Sequence, residues 1–169
     1  MRKKKTPGKS KAVPIAIGGG ITLVVLVIAI NYYLDQTSIS GQRFGDQLSQ
    51  IQADLKNETL NFDASLTQYK SGQISKDQML KITDVHISTM KNILPRYDQL
   101  KAPESFGPAL QLFKLSTETQ IDSDNALREW ITTGDNATRV KSDQLLQQSF
   151  QYEMNALQSY ENAKSKGSQ

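Results

Sequence analysis

Residues 75–100 read SKDQMLKITDVHISTMKNILPRYDQL, and their spacing decides the fold class. Ser75 fits an N-cap, since its hydroxyl can accept from an amide of the first turn and Gln78, three positions on, can return a bond to the cap. Ile74 precedes the cap and can pack on Met79 as a hydrophobic staple. Met79, Ile82, His86, Met90, Ile93, Tyr97 and Leu100 then recur every three or four residues, which lines them along one side of a helix. Pro95 lacks a backbone donor and sits inside that stripe, so the helix is expected to kink or end there.

The flanking segments repeat the pattern. Upstream, Phe44, Leu48, Ile51, Leu55, Glu58, Phe62, Leu66 and Tyr69 form one stripe that stops at Gly72. Downstream, residues 102–108 (APESFGP) are a turn, after which Phe106, Leu110, Phe113, Thr117, Gln120, Asp124, Leu127 and Ile131 run to Gly134. A fourth stripe holds Val140, Asp143, Gln147, Phe150, Met154, Leu157 and Tyr160 before the chain turns polar. Four helices of similar length joined by short turns predict an all-α, antiparallel up-down four-helix bundle over residues 42–165, with 166–169 disordered.

The N-terminal part reads differently. The chain carries 20 Lys and Arg against 17 Asp and Glu, a net +3. Six of the basic residues (Arg2, Lys3, Lys4, Lys5, Lys9 and Lys11) stand in residues 1–11, where there is no acid, so 14 basic and 17 acidic side chains remain and the rest of the chain carries −3. Residues 12–34 contain no charged side chain. A helix needs about 20 apolar residues to cross the bilayer. Tyr32 and Tyr33 suit the interface, and the basic cluster should stay in the cytoplasm. The expectation is a single-pass signal-anchor in the cell membrane: basic cytoplasmic tail 1–11, transmembrane helix 12–34, linker 35–41 and an extracytoplasmic bundle. A cleaved leader fits less well, because the nearest small-x-small site, at Ser38 and Ser40, lies beyond Asp35 and Gln36. Ala12, Ala16 and Gly20 recur every four residues and give the span a smooth flank, suited to another membrane protein or a second copy of this chain.

Composition removes whole classes of chemistry. With no Cys there is no disulfide scaffold, thiol nucleophile or Cys-type zinc site, and with only His86 one chain cannot supply paired imidazoles. Gly8-Lys9-Ser10 lacks the first glycine and the strand of a P-loop, and the segment from Asp122 has Leu127 and Thr133 where a calcium loop needs Gly and Glu. No cofactor, no metal site and no nucleic acid partner are expected; beside an apolar span the orientation signal accounts for the basic tail, aided by attraction to anionic membrane lipid.

Polar residues interrupt the stripes at matching heights. Folding the helices about their turns sets Glu58, His86, Gln120 and the Ser149 hydroxyl on one level, with Thr117 and Asp124 one turn away. Buried ionisable groups are costly unless paired and hydrogen-bonded, so this layer reads either as a register-fixing network or as the wall of a small internal site. Asn57 and Asn136 fit the glycan acceptor pattern, Asn136 at a turn far from the membrane. Trp130 is expected to cap the core end against Tyr69 or Ile74.

Two functions follow. The first is a non-catalytic accessory, scaffold or interaction subunit of a membrane or cell-surface complex. The alternative is an anchored small-ligand binding module, a metal being the weaker choice, that uses the interior polar layer. No nucleophile, base and orienting group stand in a recognisable arrangement, so an enzyme is not expected. In architecture alone the outer bundle resembles the four-helix ligand-binding heads of bacterial chemoreceptors, from which it departs in having no second span and no output module.

Overall fold

Ser75 caps the second helix as its neighbours require: its Oγ accepts from the Gln78 amide at 3.2 Å, and Gln78 Oε1 accepts from the Ser75 amide at 2.8 Å. The computed structural model describes residues 39–167. Among the described residues there are four long helices and no strand: α1 (Ile39–Lys70), α2 (Lys76–Ile93), α3 (Gly107–Thr133) and α4 (Asn136–Gly167). Pro95 ends α2, and the chain continues as a 3-10 segment, Leu94–Gln99, whose first turn needs no proline donor. Gly72 and Gly134 take φ of +76° just beyond α1 and α3, the left-handed conformation that lets a chain leave a helix sharply.

Two boundaries differ from the sequence reading. α1 starts inside the segment read as linker 35–41, and α4 runs into the segment read as disordered, 166–169; no proline stands within either helix to stop it. The basic tail 1–11 and the apolar span 12–34, with Ala12, Ala16 and Gly20, lie outside the described residues. No helix of the described residues is long and apolar enough to cross a membrane.

Sequential helices run antiparallel, and two apolar clusters fill the interior. Phe44, Leu48, Ile51, Met90, Tyr97 and Phe113 form the larger one, each at most 2 % exposed, with Phe106 tilted between Phe44 and Tyr160 at 5.6 and 4.9 Å. Phe62, Leu66, Met79 and Ile131 form the other, nearer the Gly72 and Gly134 turns, with Ile74, Tyr69 and Trp130 packed against it. Burying such side chains contributes about 1.5–3 kcal/mol each. Tyr69 and Trp130 meet edge to face at 6.4 Å, so Trp130 does cap this end of the core.

The fourth stripe is corrected in part. Tyr160 is buried and Leu157 packs against the core, but Val140 and Met154 are about half exposed, and the small-residue buried line of α4 is Ser142, Ser149, Ala156 and Ala163, one residue every seven. It faces Ala109, Ser116 and Ser123 of α3, spaced the same way. Ser116 Oγ donates to the Ser149 carbonyl at 2.9 Å, Ser149 Oγ donates back to the Ser116 carbonyl at 2.9 Å, and Ser123 Oγ donates to the Ser142 carbonyl at 2.8 Å. Side chains this small bring two backbones close, and each hydroxyl finds its acceptor on the opposite helix. Apolar spacing alone does not mark the side of α4 that packs tightest, because side-chain size as well as polarity decides it. Across the other side of α4 no Cα of α1 comes within 8 Å of a Cα of α4 among the described residues.

Candidate functional site

Between the two apolar clusters lies a charged group. His86 projects inward from α2 and is 1 % exposed, with its ring stacked on Phe62 at 4.0 Å and 4°. Nδ1 stands 2.9 Å from Glu58 Oε1 on α1, and Nε2 stands 3.2 Å from Asp124 Oδ2 on α3. A neutral imidazole can donate to only one of them; the imidazolium donates to both. Burial by itself depresses the imidazole pKa most strongly, but the hydrogen bonds and charges of Asp124 and Glu58 together outweigh it and hold the ring above its ordinary value. Burial pushes the Asp124 carboxyl up, against the pull of His86.

The layer expected from the sequence is therefore real in part and shifted by one helical turn. Glu58, His86 and Asp124 come together, with Asp124 rather than Gln120 opposite His86. Gln120 instead donates from Nε2 to Thr59 Oγ1 at 3.1 Å. Thr117 lies lower, where its Oγ1 meets the Tyr97 hydroxyl at 3.2 Å and Gln52 Nε2 donates to that hydroxyl at 2.7 Å. Ser149 belongs to the α3–α4 seam and not to this layer. The shift comes from the α2–α3 connection, where the 3-10 segment rises faster per residue than an α-helix and moves the register of α3. Tyr97 and Gln52 were missed as polar partners: Tyr97 reads as one more apolar stripe residue, and nothing local marks Gln52. Among the described residues no buried side-chain nitrogen or oxygen lacks a hydrogen-bond partner.

Thr59, Asp63 and Tyr69 of α1 stand level with Gln120, Asp124 and Trp130 of α3, as the Thr59–Gln120 bond and the Tyr69–Trp130 contact fix. Asp63 thus faces the same space as Asp124. Burial, and secondarily the Asp124 charge, lift its carboxyl to about 6 against the weaker pull of His86 and Lys70. No local pattern marks Asp63, which sits beside the α1 stripe rather than on it.

That space is a cleft of about 310 Å³ between α1, α3 and α4. Phe62, Leu66, Leu127, Leu146 and Phe150 supply apolar wall, Asp63 and Asp124 an acidic side, and Lys70 and Arg139 stand toward the Gly72 and Gly134 turns. The Arg139 guanidinium lies over the Trp130 ring at 4.7 Å. No protein-family model, curated protein or solved structure matches the chain. Among the described residues no three His, Asp or Glu side chains converge to hold a metal ion. Asn136 is exposed at the start of α4 and Asn57 is exposed midway along α1.

Proposed function

We propose that this chain is a single-span membrane protein whose bundle stands outside the cytoplasm as a non-catalytic accessory, scaffold or interaction subunit of a membrane or cell-surface complex. The observation that carries the reading is the unequal closure of the bundle: α4 is sealed against α3 and stands away from α1, leaving a partly apolar recess on one side. An exposed, partly apolar recess with a few convergent polar groups is the default candidate for recognition. The basic residues 1–11 and the uncharged residues 12–34 support the anchor and its orientation, and the flank of Ala12, Ala16 and Gly20 supports a neighbour in the membrane. A non-catalytic role is supported at His86, whose two nitrogens are both engaged by carboxylates and leave no free base.

Two experiments test it. An alkaline phosphatase fused after Gln169 should be active, and an inactive fusion beside an active cytoplasmic reporter at the same position overturns the topology. A photo-crosslinking residue at Gln147 on the cleft rim should yield one discrete adduct in native membranes, while the same residue at the exposed Val85 on α2 yields none. Equal labelling from both positions, or from neither, sinks the accessory reading. A second reading, an anchored small-ligand binding module, is favoured by the size of the cleft and by the carboxylates along its wall.

A further inference from the structure

We infer that the cleft between α1 and α4 takes a compact organic cation, an ammonium joined to an apolar or aromatic group. The inference rests on the ligand-binding reading and gives it a chemistry.

Size comes first. A cleft of about 310 Å³ is at the lower end of the range for small-molecule sites. A helix is about 10 Å across and would need an open groove instead.

The distribution of charge then selects among small molecules. Asp63 on α1 and Asp124 on α3 line the cleft from facing helices at one height. His86 engages Asp124 from behind, whereas among the described residues the Asp63 carboxylate has neither an ion-pair nor a hydrogen-bond partner. Two carboxylates bordering one partly dry space repel each other, and a cation placed between them removes that repulsion while gaining attraction from both. An anion would meet the repulsion of both carboxylates, and of the two cations on the lining Arg139 is held over the Trp130 ring while Lys70 stands exposed at the turn end. A bare metal ion lacks a ligand set among the described residues. Phe62, Leu66, Leu127 and Phe150 would cover the apolar part of the occupant, and aromatic faces are themselves attractive to a cation.

Binding should depend on pH through Asp63. Lys70 faces it from its own helix, His86 from α2, Asp124 from α3, and Arg139 and Asp143 from α4 share the cleft. With its carboxyl near 6, Asp63 is mostly neutral at pH 5 and mostly ionised at pH 7.5. Affinity for a cation should rise about tenfold across that interval.

Calorimetry on the full chain in lipid nanodiscs tests this with 2-phenylethylamine as the probe and neutral 2-phenylethanol as its isostere. The expected result is saturable binding of the amine, stronger at pH 7.5 than at pH 5, and weakened about tenfold by Asp63→Asn. That variant should fold at least as well as the parent, since it removes a repulsive charge. Gln147→Phe, at an exposed position on the cleft wall, should block the amine by filling the space. Equal binding of amine and alcohol, indifferent to Asp63→Asn, overturns the cation assignment and leaves the cleft an apolar site. Amine binding that Gln147→Phe does not alter places the site elsewhere and overturns the assignment as well. If neither probe binds, the ligand-binding reading falls with it, while the accessory reading stands or falls on the cross-linking.

Discussion

On one side α4 meets α3 through Ser142, Ser149 and Ala156; on the other it stands off from α1 across a cleft walled by Leu146, Gln147 and Phe150. The small side chains make the tight contact and the large ones line the gap. Close approach needs little side chain between the backbones, and it leaves the opposite edge of the same helix too far from its neighbour to be filled. A cleft at α1 is thus the geometric counterpart of a seam at α3. The stability of the two sides should differ accordingly, and substitutions can probe each.

The largest effect is expected beneath the open side. His86→Leu leaves Glu58 and Asp124 without their shared partner and should cost about 3 kcal/mol in urea unfolding of the full chain in detergent. Replacing Glu58, His86 and Asp124 together by Leu should restore most of that stability, as removing a whole buried charged group often does. A neutral single variant would mean that the group contributes nothing to the fold. Next is the seam itself: Ala156 has no exposed surface, and Ala156→Leu forces α3 and α4 apart at a cost of about 2–3 kcal/mol. Should that variant be tolerated without loss, the seam is not the tight contact argued for above.

A smaller effect is read in pH. Asp63, Asp124 and His86 all have raised folded pKa values, so the folded chain holds more protons than the unfolded one and stability falls as pH rises. The Asp63 part is complete below its ordinary 3.8 and is lost as pH rises through about 6. The His86 part is complete below 6.5 and is lost above it, as pH rises through the higher folded value. Asp63→Asn should remove the first loss, on the order of 1 kcal/mol once solvent in the cleft is allowed for, and leave the second. A urea midpoint that does not move between pH 4 and 7 contradicts this. The least effect belongs to the cleft wall, where Leu146→Gln should change stability by less than about 0.5 kcal/mol.

Helix positions were legible in the sequence because caps and breakers act locally. Ser75 with Gln78, Pro95, Gly72 and Gly134 each do what their chemistry requires within a few residues. The inner faces of α1 and α2 were legible too, since their core residues are large and regularly spaced. The face of α4 was not: Ser142 and Ser149 look like surface residues until a second small-residue line appears on α3 at the same spacing. The charged group was found through His86 and Glu58, yet its third member was displaced by one turn, because register across a 3-10 connection depends on rise and not on residue count. Asp63 was invisible for a third reason: what raises its pKa is the gap between α1 and α4, and no local pattern encodes a gap.

The seam also bears on the order of events during folding. Its contacts join α3 and α4 across the short Gly134 turn, so they close a small loop and lose little chain entropy. Those of α1 with α3, such as Thr59 with Gln120, span far more chain. With its closely packed serines the α3–α4 hairpin is the expected nucleus, and the docking of α1 against α3 the later step although α1 is made first. Ala156→Gly should slow folding, while Leu66→Ala should mainly hasten unfolding. During synthesis α1 would find α2 across the Gly72 turn, through bonds such as Glu58 with His86, but would wait for the α3–α4 seam until the last helix has left the ribosome.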